Sequence, residues 1–154
     1  MKGKLQDYAL VAEIIGAISI VASLLFVGVQ IQQNTDVQKA GTYQNVIEQI
    51  ALWRHQIVSD PELHELFISF TQGKLKDEYS DNEISKISMQ VTNFFGIVES
   101  AYYSKKYGLM GDSEWGRLEY GVCVQFARFK DNFGADSYPS FMSKEFIDYL
   151  NLTC

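Results

Sequence analysis

Apolar residues crowd the N-terminal part of this chain with no polar face between them. Positions 14–29 read IIGAISIVASLLFVGV without a charge, and the run widens to 8–31 with Glu13 as its single charged residue. A helix rises about 1.5 Å per residue and needs roughly 20 mostly apolar residues to cross the hydrocarbon of a bilayer. The pattern therefore predicts one transmembrane helix over 8–31, with Glu13 and Gln30 near its two interfaces. Two other readings compete. A buried core helix would rarely dispense with polar positions over such a length. A cleaved signal peptide would make Lys2 and Lys4 its basic leader, but the run is long for one, and the following QIQQNTDVQ offers no small-residue cleavage site.

Beyond the span the rhythm becomes helical and amphipathic. Tyr43, Val46, Ile47, Ile50, Trp53 and Ile57 recur at three- and four-residue spacing, and only Gly41 interrupts the segment. The span is thus expected to continue as one long helix, roughly 75 Å if it runs from 8 to 58. Asp60 before Pro61 is an N-cap with proline at the first helical position, opening a short helix through Leu63, Leu66, Phe67 and Phe70 to about Gly73. Ser80 and Glu83 fit a capping box. The helix they open sets Ile84, Ile87, Val91, Phe94, Phe95, Val98 and Tyr102 on one stripe and stops near Gly108. Asp112 is expected to cap the next helix, whose buried face is Trp115, Leu118, Val122, Phe126 and Phe129, with Gly134 past its end. Ser143 caps a last helix carrying Phe146, Tyr149 and Leu150.

The expected fold is all-α: an N-terminal transmembrane helix running into a long amphipathic helix, followed by a small C-terminal helical bundle. By residue this gives an N-terminal tail over 1–7, the transmembrane helix over 8–31, a helical extension or connector over 32–58, and the bundle over 59–154.

Charge narrows the partners. The chain of 154 residues has net charge −6, and its thirteen Lys and Arg form no run, so the basic footprint of a nucleic-acid-binding protein is missing. The lipid bilayer is the expected partner. Of its two prolines, Pro61 and Pro139, only the first marks a helix start. The two cysteines, Cys123 and Cys154, follow no CxxC pattern; they pair if the domain faces an oxidising compartment, and remain free thiols otherwise.

Within the span, Ala12, Gly16, Ser19, Ser23, Phe26, Gln30 and Gln33 share one helix face. Small residues let helix backbones approach in lipid, where hydrogen bonds between polar side chains also hold helices together, so this face predicts self-association. In a ring of identical helices the same face would line an axis, with Phe26 as an apolar constriction, which is the pattern of a pore. Glu13 is a candidate functional carboxylate because charge is costly at membrane depth, although its place near the interface lets it reach the headgroups. Glu99, among Phe95, Val98, Tyr102 and Tyr103, needs a donor such as a tyrosine hydroxyl or Arg117 and reads as a structural contact. His55 and His64 match no metal-ligand spacing and read as solvated helix-face residues. No nucleophile has a recognisable base and no glycine loop resembles a phosphate cradle, so neither catalysis nor a cofactor is expected.

Three segments together carry a resemblance. The V-G-x-Q-I-x-Q-N-T segment is 27–35, D-P-E-L is 60–63, and E-x-A-Y-Y is 99–103, followed by Gly108, Leu109 and Trp115. The chain resembles an uncharacterised bacterial family of short single-span membrane proteins whose N-terminal helix ends in that first signature. The resemblance implies a place in the bacterial inner membrane and brings no activity with it. Similar proteins often carry arginine just after the span, which would hold the bundle in the cytoplasm; here Gln32 and Gln38 stand there, with Lys39 alone nearby. Lys2 and Lys4 pull the N-terminus inward instead. The resemblance tips the expectation toward a cytoplasmic bundle, while the charges leave the sidedness open.

The function expected from these readings is a non-catalytic, single-pass membrane protein that self-associates into a homo-oligomeric assembly or scaffold, by itself or within a larger membrane complex. A homo-oligomeric channel and a membrane-anchored ligand-sensing domain are the alternatives.

Overall fold

Asp60 shows how the sequence punctuates this chain. Its backbone is extended, its carboxylate accepts from the N–H groups of Glu62 and Leu63 at 3.0 and 3.1 Å, and Pro61 follows at the first helical position. In the computed structural model, which describes residues 2–73, 76–134 and 142–154, such local signals divide the chain into five helices. They are α1 (Lys2–Ser59), α2 (Pro61–Thr71), α3 (Asp81–Lys106), α4 (Asp112–Phe133) and α5 (Lys144–Thr153), with one short 3-10 turn at Lys76–Glu78. The all-α expectation holds, and among the described residues no strand occurs. Pro139 lies outside them.

The expected caps recur with one exception. Ser80 and Glu83 form the reciprocal capping box, with the Ser80 N–H donating to Glu83 at 2.8 Å, and Ser143 accepts from the Phe146 N–H at 3.3 Å. At α4 the cap is Gly111 rather than Asp112, which sits one residue inside the helix. Gly111 offers no side chain, so Asp112 and Glu114 complement the positive end of the helix from its first turn instead. Gly108, at φ 74°, supplies the left-handed turn that ends α3.

The chain forms two compact units, Met1–Gln38 and Lys39–Cys154. The first is helical from Lys2, so residues 2–7 of the expected tail are helix. Adding residues to an existing helix avoids the cost of nucleation, and nothing but Gly3 opposes it. Its large apolar side chains are exposed, Leu24 and Leu25 by about two thirds, as a core helix would not leave them. One helix is therefore long and apolar enough to cross a membrane.

The second unit begins inside α1, so the segment expected as a connector ends as a wall of the bundle. Val46, Ile50, Trp53 and Ile57 are buried in one core with Leu66 and Phe70 of α2, the α3 stripe, the α4 face and Phe146 and Leu150 of α5. The Trp53 indole N–H donates to the Gln90 carbonyl at 3.0 Å, tying the end of α1 to α3. Aromatic rings carry much of the remaining contact: Phe95, fully buried, meets Phe126 at 6.1 Å and Phe129 at 5.9 Å edge-on, the arrangement favoured by ring quadrupoles. Cys123 of α4 and Cys154, just past α5, have Cα atoms 5.0 Å apart and form a disulfide.

Candidate functional site

A well-formed opening in the Lys39–Cys154 unit lies where four helices meet. The end of α1 presents Ile50, Trp53, Arg54 and Ile57 on one face, and α4 presents Arg117, Leu118, Gly121, Val122 and Gln125 at comparable helical spacing. His64, Phe67 and Ile68 of α2, with Phe94 and Val98 of α3, complete a cavity of about 390 Å³. Its floor is aromatic. The Trp53 ring lies 4.9 Å from Phe94 and 5.5 Å edge-on to Phe67, and its N–H is already committed to Gln90, so the indole offers the cavity only apolar surface. Its walls rise to the surface, with Val58 63% and Ile68 39% exposed, so the cavity is an open groove.

Polar side chains in the groove are few: Arg54 and Arg117 are exposed, His64 and Gln125 are half-buried, and among the described residues no lining side chain carries a carboxylate. None of the ion pairs among the described residues engages either arginine; Lys86, Lys105, Lys106 and Lys144 take the carboxylates instead. Gly121 stands in the middle of α4, and a Cβ built on it meets nothing within 4 Å. Close packing therefore does not call for this glycine. An apolar hollow with a few convergent polar groups is the usual form of a small-molecule site, and this volume sits at the small end of the range of about 300–1,000 Å³.

A second polar cluster fastens α5. Glu145 accepts from the Lys106 ammonium at 2.6 Å and from the Tyr102 hydroxyl at 3.0 Å. The lysine first, and the tyrosine second, hold the Glu145 carboxyl below its ordinary range. The Trp115 N–H donates to the Tyr149 hydroxyl at 2.9 Å, and that hydroxyl donates to Glu119. Burial, reinforced by Glu119, raises the Tyr149 pKa, so this tyrosine stays a proton-bearing donor and acts as a strut.

The residues singled out from the sequence fall elsewhere. Ala12, Gly16, Ser19, Ser23, Phe26, Gln30 and Gln33 are exposed on one helical register, as their spacing requires. The Ser19 and Ser23 hydroxyls each donate to the carbonyl four residues earlier at 2.8 Å, so both are satisfied within their own helix. Glu13 is exposed. Glu99 accepts the Ser143 N–H at 2.8 Å and so holds the start of α5; among the described residues neither a tyrosine hydroxyl nor Arg117 donates to it. His55 lies near the Ser59 hydroxyl, whereas His64 turns into the groove rather than standing free on a helix face. Among the described residues, no three His, Cys, Asp or Glu side chains gather as metal ligands would.

Sequence reasoning missed Arg54 and Gly121, and considered Arg117 as a donor to Glu99 and not as part of the groove. Gly121 left a faint trace, since glycine within a helix costs about 0.5–1 kcal/mol relative to alanine and so invites a question. The placing of the two arginines along one groove had no local signal, because it depends on how α1 and α4 pack.

Comparison with protein-family models, with curated proteins and with solved structures finds no match.

Proposed function

We propose that this chain is a single-span membrane protein whose C-terminal bundle binds a small amphipathic ligand and performs no chemistry of its own. The groove between α1, α2, α3 and α4 carries the reading: it is apolar at its floor, open at its wall and has two arginines among its few polar positions. The exposed apolar side chains of 10–31 support the anchor, because so much apolar surface is unfavourable in water and favourable in lipid. Self-association through the Gly16 and Ser23 face draws less support, since the serine hydroxyls already have partners on their own helix.

Sidedness follows the cysteines. Disulfides persist in oxidising compartments and are rare in the cytosol. The Cys123–Cys154 bond, together with Lys2 and Lys4 at the other end, supports a cytoplasmic N-terminus and a bundle on the outer face of a bacterial inner membrane. This reverses the tilt toward a cytoplasmic bundle that the family resemblance implied.

The reading is tested with the full chain in nanodiscs of zwitterionic lipid, using 10-bromodecan-1-ol, whose bromine quenches tryptophan on contact. Saturable quenching that is lost in Trp53→Phe is the expected result. Quenching that rises linearly with no saturation, and equally in both proteins, means the groove holds nothing.

A further inference from the structure

We infer that the ligand of this groove is a single-chain amphipathic anion: one apolar tail closed by a carboxylate. This rests on the binding function proposed above and names its chemistry. The groove divides its labour as such a ligand requires. Trp53, Phe67 and Phe94 give an aromatic floor for the tail, while Arg54, His64 and Arg117 supply N–H donors and no described lining residue supplies a carboxylate to neutralise them. His64 donates through at least one ring nitrogen in either protonation state.

The charge distribution is what selects an anion. The whole chain is acidic at net −6, so its general field repels anions. Against that background two guanidinium groups from different helices line one cavity with no ion pair among the described residues, although several acidic residues elsewhere are paired to lysines. Guanidinium matches a carboxylate in two parallel hydrogen bonds, a stronger and more directional contact than a neutral group makes. A neutral or cationic ligand would leave both arginines unused or repelled. At about 390 Å³ the groove matches one tail better than two side by side.

Gly121 fits the same picture. Its missing side chain leaves open space on the α4 wall between Arg117 and Gln125, so the helix forgoes some of its own stability where the cavity needs room.

The experiment compares 10-bromodecanoate with 10-bromodecan-1-ol on the full chain in zwitterionic nanodiscs, following Trp53 quenching against free aqueous concentration. The two probes share a tail and differ in the charged group. The acid is expected to bind at least about tenfold more tightly than the alcohol, the increment of one charge-assisted hydrogen bond. In the Arg54→Gln, Arg117→Gln double variant that preference disappears, and a wild-type urea unfolding midpoint shows that the variant is folded. Equal affinity for the two probes, or a preference that survives in the double variant, overturns the anionic assignment and leaves the binding function standing. If neither probe quenches saturably, the binding function and the assignment fail together.

Discussion

Cutting the Cys123–Cys154 bond removes a constraint whose size can be worked from the chain. The cysteines are 31 positions apart, and closing a loop of that length restricts the unfolded ensemble by an entropy worth about 3.5 kcal/mol near room temperature. Against a typical domain stability of about 5–15 kcal/mol this is large but not fatal. The fully buried Phe146 and Leu150 should therefore keep α5 docked once the sulfurs are free. The perturbation is the Cys123→Ser, Cys154→Ser double variant, studied beside the wild type with and without reductant in nanodiscs. Urea unfolding followed by tryptophan fluorescence reads the bundle alone, since both Trp53 and Trp115 lie in it. With a urea slope of about 1.5 kcal/mol per molar, the midpoint should fall by roughly 2 M, and by the same amount on reduction of the wild type. An unchanged midpoint under reductant, or full alkylation of both thiols in freshly isolated membranes without reductant, would refute the crosslink. The outward placement of the bundle would then lose its support.

Further substitutions probe the core, the groove and the α5 fastening. Phe95→Ala, which opens a cavity beside Phe126 and Phe129, should cost about 3–5 kcal/mol in the same urea assay, whereas a cost below about 1 kcal/mol would place Phe95 outside the core. Gly121→Ala should stabilise the bundle by about 0.5–1 kcal/mol, because a Cβ there meets nothing, and destabilisation would show that the α4 wall is already filled. The Glu145 carboxyl is held below its ordinary range by Lys106 and then Tyr102, so its contribution is present above the unfolded carboxylate pKa and is lost as pH falls through the lowered folded value. Lys106 is raised by the same pair and loses its share only in strongly alkaline solution. Urea midpoints of wild type and Glu145→Gln should accordingly converge on acidification at low salt, with a small difference throughout because the pair is solvent-exposed. A gap that widened as pH fell would reverse the sign of this argument.

What could be read from the sequence was whatever neighbouring residues decide. Asp60 with Pro61, Ser80 with Glu83, and Ser143 are caps made within three positions of the helix they start, and each stands where its spacing put it. The buried stripes of α3 and α4 follow from helical periodicity in the same way, with Leu118 only half-buried because it edges the groove. Gly111 displaced Asp112 as a cap because either residue satisfies the local pattern, and the difference is one residue of backbone. The end of α1 was legible as amphipathic, but its membership in the bundle depends on Trp53 finding Phe94 and the Gln90 carbonyl on α3. Pairing of Cys123 with Cys154, the use of Glu99 to hold Ser143, and the placing of Arg54 and Arg117 along one groove all depend on helix packing. No short-range pattern encodes them.

The central claim, that the bundle holds one small amphipathic molecule, is tested most directly by the native mass of the full chain released from gently extracted membranes. The account predicts a single added mass of one single-chain amphipath per polypeptide, absent from a Gly121→Trp variant whose indole fills the groove. A bare polypeptide mass in the wild type, or an adduct that persists unchanged in the filled variant, would contradict it.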